Sequence, residues 1–231
     1  MRFPDWSGFA ALGAGLAALV EVSRGDSTRA LGWFLAATCL GILTRYWSVK
    51  HPAPMPYLLR WGLLVPRGRH SAKHLLRILQ PRSGERFLEI GPGIGIHTLP
   101  VASSLAPNGT LDVLDVQQEM LDHVMRRASA AGITQITAKL GDAQKLPYPD
   151  GAFDGAYLVG VLGEIPEGRA ALRELRRVLK PSGRLVIGEV FFDPDFVHLG
   201  SLRKRAEDAS FAFEDRLGGP FTYLALFRPL R

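Results

Sequence analysis

Cysteine is nearly absent: Cys39 stands alone in 231 residues. One thiol excludes a disulfide framework and a multi-cysteine zinc site, and it fits a reducing compartment. Cys39 lies in an apolar run, where it reads as a small buried or lipid-facing side chain. The length supports one large α/β domain plus a modest extension, with a core that stands without staples. Acids are missing from one region: none occurs between Asp26 and Glu85, where nine Lys or Arg do. Residues 1–70 hold Arg2, Arg24, Arg29, Arg45, Lys50, Arg60, Arg67 and Arg69 against Asp5, Glu21 and Asp26, a net +5. The remaining residues, with 20 bases and 19 acids, sum to +1. The basic balance therefore belongs to the N-terminal third and suits an anionic membrane leaflet or a polyanion.

That third also lacks charge in two stretches, Trp6 to Val20 and Ala30 to Thr44. Each spans about 22 Å as a helix, somewhat short of the roughly 20 residues a crossing helix wants. Val22 extends the first, while Arg29 and Arg45 can snorkel at the ends of the second. With the polar EVSRGDSTR between them, residues 1–45 read as an apolar helical hairpin that associates with a membrane through residues 6–44. The bases that follow put both ends in the cytoplasm. A soluble hairpin, a pair dipping into one leaflet, and a signal peptide are the alternatives. The last is disfavoured by an n-region of only Met1 and Arg2 and by the lack of a clear cleavage site. Residues 46–70 form a basic, aromatic connector. Pro52, Pro54 and Pro56 favour extended chain, and Tyr46, Trp47, Tyr57 and Trp61 suit either a membrane interface or a surface-wrapped linker.

From Ser71 the pattern changes. SAKHLLRILQ is amphipathic at helical spacing, with Leu75, Leu76, Ile78 and Leu79 together. RFLEI reads as a short buried strand and runs into Glu89-Ile90-Gly91-Pro92-Gly93-Ile94-Gly95 and a helix-like IHTLPVASSLA. A glycine-rich turn between strand and helix brings backbone close to a ligand. The G-x-G-x-G spacing misses the dinucleotide pattern by one position. Glu89 would repel a pyrophosphate but not a ligand carrying ammonium and sulfonium groups. A second strand, TLDVLD, ends in Asp115, 20 residues past Gly95 and placed to accept ribose hydroxyls. Gly141-Asp142 follows a third strand, Pro147 to Phe153 leads into a fourth, and GRAALRELRRVLKPSGRLVIGEV gives a helix, a turn and a fifth. FAFEDRLGGPFTYLALFRP reads as a hairpin around Gly218-Gly219-Pro220.

LEIGPGIG, LDVLDVQQEML, GDAQKLPYPDGAFD and LRRVLKPSGRLVI resemble, in that order, the class I S-adenosylmethionine-dependent methyltransferases, within them the ubiquinone/menaquinone-type branch. The resemblance covers about residues 71–191. It implies an α/β, Rossmann-like, mostly parallel seven-stranded sheet with helices on both faces and its last strand antiparallel, over residues 71–231. It also implies S-adenosylmethionine as cofactor. Glu89, Gly91, Gly93 and Gly95 would hold the methionine part, Asp115 the ribose, Met120 or its neighbours would flank the adenine, and Asp142 with Ala143 would read its amino group. Read alone, Asp142 could equally cap a turn.

The acceptor is less legible. No Asp/Asn-Pro-Pro-Tyr/Phe follows the fourth strand, where Leu158 to Glu164 read LVGVLGE, which argues against methylation of base amino groups. A nearly neutral domain without an added module argues against RNA. No carboxylate cluster suggests magnesium, no metal is expected, and a single cysteine disfavours arsenite. Methyl transfer is an in-line displacement that needs a base only if the acceptor arrives protonated. Glu164, Glu189 and His198 are the candidate bases, set against roles as a turn cap, an arginine partner and a surface residue. His97 belongs near the cofactor. Arg169, Arg173, Arg176, Arg177 and Lys180 read as a solvated helix face, while Arg203, Lys204 and Arg205 either face water or meet a phosphate headgroup. The basic, apolar N-terminal third points to a lipid acceptor, a prenylated quinone precursor or an aminophospholipid. The rivals are a soluble metabolite and non-catalytic cofactor binding.

Overall fold

The computed structural model describes residues 3–59 and 71–230, which fall into two compact units, Met1–Ala53 and Pro54–Arg231. The expectations for Arg60 and Trp61 lie outside the described residues.

In the first unit α1 (Phe3–Ser23) and α2 (Ser27–Lys50) pack along one another. The turn between them needs Gly25 at φ +79°, and the Asp26 carboxylate caps α2 by accepting the Arg29 N–H at 3.0 Å. Small residues, Ala14, Ala18 and Ala30, are buried, while Leu16, Leu19, Leu31, Phe34, Ile42 and Leu43 face outward and stay exposed. Two sequence expectations change here. α2 runs to Lys50, past residue 45, because the first helix breaker is Pro52. Moreover, among the described residues no helix is long and apolar enough to cross a membrane. Glu21, Arg24, Arg29, Arg45 and Lys50 shorten the apolar span of each helix.

The second unit is a seven-stranded sheet in the order β3-β2-β1-β4-β5-β7-β6. Its strands are β1 (Arg86–Ile90), β2 (Thr110–Asp115), β3 (Ile136–Leu140), β4 (Phe153–Val159), β5 (Leu179–Val190), β6 (Phe211–Gly219) and β7 (Thr222–Pro229). β3, β2, β1, β4 and β5 pair in parallel, and β7 lies antiparallel between β5 and β6. The turn at Pro181–Gly183 is absorbed inside β5 as an irregularity, since Phe153 pairs with Leu179 but Gly155 with Arg184. A second register shift bends β6 between Phe213 and Asp215.

Alternation along the strands separates two cores. Leu88, Ile90, Leu158 and Ile187 meet Leu172 and Leu175 of α6 (Gly168–Val178) and Leu202 of α7 (Leu199–Asp208). Phe87, Val113, Tyr157 and Val186 meet α3 (Ala72–Leu79), α4 (Thr98–Leu105) and α5 (Gln118–Ala130). At the opposite end of the strands from the glycine turn, Arg184 is 8% exposed. Its guanidinium donates to Leu79 O at 2.6 Å, Gln80 O at 2.8 Å and the Glu85 carboxylate.

The arginines of α6 are not a uniformly solvated face. Arg177 donates to Leu146 O, Tyr148 O, Asp150 and Glu174 at 2.8–2.9 Å, pinning the loop before β4. Arg169 pairs with Asp208 at 2.9 Å, and Lys180 with Asp154 at 2.5 Å. An amphipathic helix beside a long loop presents its bases to carbonyls as readily as to water.

Candidate active site

The parallel strands β1, β2 and β4 end together, and the turns that leave them build one site. After β1 the chain reverses within Gly91–Gly95, where Gly95 N–H donates to Pro92 O at 2.9 Å and Gly91 N–H to Leu114 O at 2.9 Å. Gly91 and Gly95 adopt φ of +65° and +79°. A Cβ on Gly91 would stand 2.5 Å from Val161 Cγ2, so only glycine fits against the loop leaving β4. Gly93 is likewise left-handed, at φ +55°.

Glu89, one residue before the strand ends, is 3% exposed. Its Oε2, the Thr98 Oγ1 and the Tyr157 hydroxyl are all buried, the two hydroxyls facing the carboxyl without forming a well-aligned hydrogen bond. Burial raises the Glu89 carboxyl to about 7, against a downward pull from the Thr98 and Tyr157 hydroxyls; the nearby Asp115 adds a further upward push. Asp115 closes β2, nearly buried, with Oδ1 accepting the Gln117 N–H at 2.9 Å. Burial lifts it to about 6, partly offset by the Gln117 and Val116 N–H groups. Two carboxylates held in protonatable form at strand ends are chemically incomplete. They suit a ligand that brings an ammonium group to one and hydroxyl donors to the other.

Met120 is buried at 2% on α5, and Ala143 at 4% beneath the loop after β3. Asp142 is exposed, and both of its oxygens are taken by Gln144, Oδ1 from the backbone N–H at 2.8 Å and Oδ2 from Nε2 at 2.7 Å. The Asx turn anticipated as its bland role is thus present. His97 is buried at the entry to α4.

Of the candidate bases, Glu164 sits in a short 3-10 turn after β4 and accepts the Met55 N–H at 3.2 Å. Burial and the neighbouring Asp193, Asp195 and Asp115 raise its carboxyl well above the usual range, opposed by the Met55 hydrogen bond. Glu189, one residue before the end of β5, is 1% exposed, its Oε2 accepting the Val197 N–H at 3.2 Å while Oε1 has no hydrogen-bond partner. Burial foremost raises it as well. His198 is different: it is exposed, lying edge-on to Phe196 with ring centroids 5.0 Å apart. The site brings Glu164 close to Asp115, whereas His198 stands at the surface before α7. Beyond β5, Phe191 packs on Phe196 and Phe221, with Phe192 92% exposed.

Sequence reasoning missed three participants. Val161 walls the glycine turn, Gln117 donates from Nε2 to Met55 O at 2.9 Å, and Met55 itself reaches in from the connector. A polar residue two positions past a strand-end acid was the available signal for Gln117; nothing local marked Met55. Among the described residues no group of three or more His, Cys, Asp or Glu is placed to hold a metal ion.

The sheet order, the glycine turn after β1 and the acid closing β2 define the domain as a class I S-adenosylmethionine-dependent methyltransferase fold. Residues 87–183 match the family model described as a methyltransferase domain. By sequence this domain is similar to proteins of the ubiquinone/menaquinone type. The chain is 37% identical over 137 residues to a ubiquinone/menaquinone biosynthesis C-methyltransferase UbiE of Pseudomonas putida, covering 57% of this chain and 50% of that protein. It is 31% identical over 120 residues to a demethylmenaquinone methyltransferase of Bacillus cytotoxicus, 51% of each. The chain thus spans about half the length of these curated relatives. A SAM dependent methyltransferase from Aquifex aeolicus superposes with a TM-score of 0.69 at 18% identity, over 76% of this chain and 98% of that one, and shares the fold. The cofactor that goes with this domain and fold is S-adenosylmethionine. The orphaned Glu89 oxygen, the tight Gly91 turn and the nearly buried Asp115 fit its amino, backbone-facing and ribose parts.

Proposed function

We propose that this protein transfers a methyl group from S-adenosylmethionine to a lipophilic small-molecule acceptor at a membrane surface, a prenylated quinone precursor or an aminophospholipid. When bound, the cofactor supplies a methyl group activated on a sulfonium. Glu89 takes its ammonium group, the Gly91, Gly93 and Gly95 turn accommodates the methionine chain, and Asp115 accepts the ribose hydroxyls. Met120 packs beside the adenine, and Ala143 and the Asp142 turn border its edge. Glu164, raised in affinity for protons and near Asp115, is the residue best placed to accept a proton from an acceptor that arrives protonated. Glu189 lies deeper and holds the Val197 loop.

The observation that carries the lipophilic reading is the outward face of α1 and α2. Leu16, Leu19, Leu31, Phe34, Ile42 and Leu43 are each more than half exposed. Water-facing apolar surface of that extent marks an interaction surface. With no described helix long and apolar enough to cross, the pair would lie in one leaflet, its bases toward anionic headgroups and the domain in the cytoplasm.

The test supplies the purified protein with methyl-labelled cofactor and with membranes or cytosol from the native cells. Label entering the organic phase, and lost with Asp115→Ala, is the expected result. Label confined to the aqueous phase would mean a soluble acceptor. Cofactor binding without transfer to any extract would mean a non-catalytic role.

A further inference from the structure

The segment that joins the two units does not stop at the domain's edge. Within the second unit, Met55 offers both of its backbone groups to the site: its N–H to Glu164 Oε2 at 3.2 Å, and its carbonyl to Gln117 Nε2 at 2.9 Å. Two residues on, the Tyr57 hydroxyl stands 3.5 Å from His123 Nδ1 on α5, the rings 6.3 Å apart and edge-on. Gln117 follows β2 and Glu164 follows β4, and the strand between them in the sheet is β1. A segment fastened to both loops therefore passes over the glycine turn at the end of β1, the place assigned to the cofactor. Pro54 and Pro56 flank Met55 and restrict its conformations, so little chain entropy is lost in holding this short piece extended.

We propose that residues 54–57 form a latch over the cofactor site, with Gln117 and Glu164 as its two catches, governing both entry and exit of the cofactor. The proposal rests on the reading that Asp115 and the glycine turn bind S-adenosylmethionine. Gln117 is in this sense a positioning residue that acts through Met55. A cover differs from an ordinary ligand contact in one measurable respect. Loss of a contact raises the rate of dissociation alone, whereas loosening a cover speeds association and dissociation together.

The experiment uses the full chain and S-adenosylhomocysteine as probe, with both rate constants taken from stopped-flow binding. Gln117→Leu removes one hydrogen bond and should raise both rates about fivefold. Met55→Pro, which deletes the N–H to Glu164, should do the same and serves if the first variant folds poorly. Glu164→Gln keeps an acceptor oxygen and should leave both rates near those of the parent. Hydrogen exchange at the Met55 amide should slow on binding the probe. A rise in dissociation alone, or no change in either rate, overturns the latch. Undiminished binding by Asp115→Ala would instead overturn the site assignment beneath it.

Discussion

Glu89 and Asp115 shape the pH behaviour of this protein, in the same direction as the raised Glu164 and Glu189. Both carboxyls are raised by burial, to about 7 and about 6. A raised acid binds protons more tightly folded than unfolded, so its contribution to stability is complete below the unfolded carboxyl range and is lost as pH climbs through the folded value. The unliganded protein should therefore lose thermal stability between about pH 4 and pH 7. Glu174, lowered by its Arg177 partner, acts only at more acid pH and does not blur that window. A cofactor bearing an ammonium group and ribose hydroxyls prefers both carboxylates ionised, so its binding runs the other way. Affinity for S-adenosylhomocysteine should rise at least about tenfold over the same interval and be taken up with proton release. Calorimetry in two buffers of different ionisation enthalpy checks it, and Glu89→Gln should flatten the upper part of the curve. The pair is legible in the sequence as acids at two strand ends. Its protonation is not, because burial at Glu89 depends on Thr98 and Tyr157 closing around it from elsewhere in the chain.

Among the elements, the strands and helices of the second unit follow their local patterns closely, down to the hairpin at Gly218-Gly219-Pro220. The apolar repeat of two or of 3.6 decides which face each residue covers, and that information is local. What escaped notice is non-local. The Met55–Glu164 contact joins residues 109 apart, and the Arg177 hub gathers two carbonyls and a carboxylate from a loop some 27 to 31 positions back. Arg184 belongs with these, since one guanidinium ties the end of α3 and Glu85 to β5. Truncating it leaves the Leu79 and Gln80 carbonyls without their donor and Glu85 without its cation. Arg184→Ala should lower unfolding stability by about 3 kcal/mol in urea titration while leaving cofactor affinity in the surviving folded protein unchanged.

For the whole molecule the two units divide the labour by chemistry. The first carries exposed apolar surface, the second a sheet with buried carboxylates at its strand ends. Flotation with vesicles of anionic lipid should carry the full chain upward. Leu19→Asp with Phe34→Asp should reduce the floated fraction severalfold, and added salt should reduce it further if the bases contribute. Flotation unaffected by both changes would detach the hairpin from the lipophilic reading. Charge placement and hydropathy signalled this unit from the first residues. They overstated its reach, because charges at the helix ends leave too little uninterrupted apolar length.

The bent outer strand has a consequence for crowding. β6 interrupts its pairing between Phe213 and Asp215 and exposes Glu214, Asp215 and Arg216 in succession along the sheet's outer margin. A second chain seeking to add a strand there would meet a twisted, charged border with its hydrogen-bonding rhythm broken. Growth of the sheet from molecule to molecule is thus blocked at this margin, and the domain can be crowded against a surface at high local density without polymerising along β6.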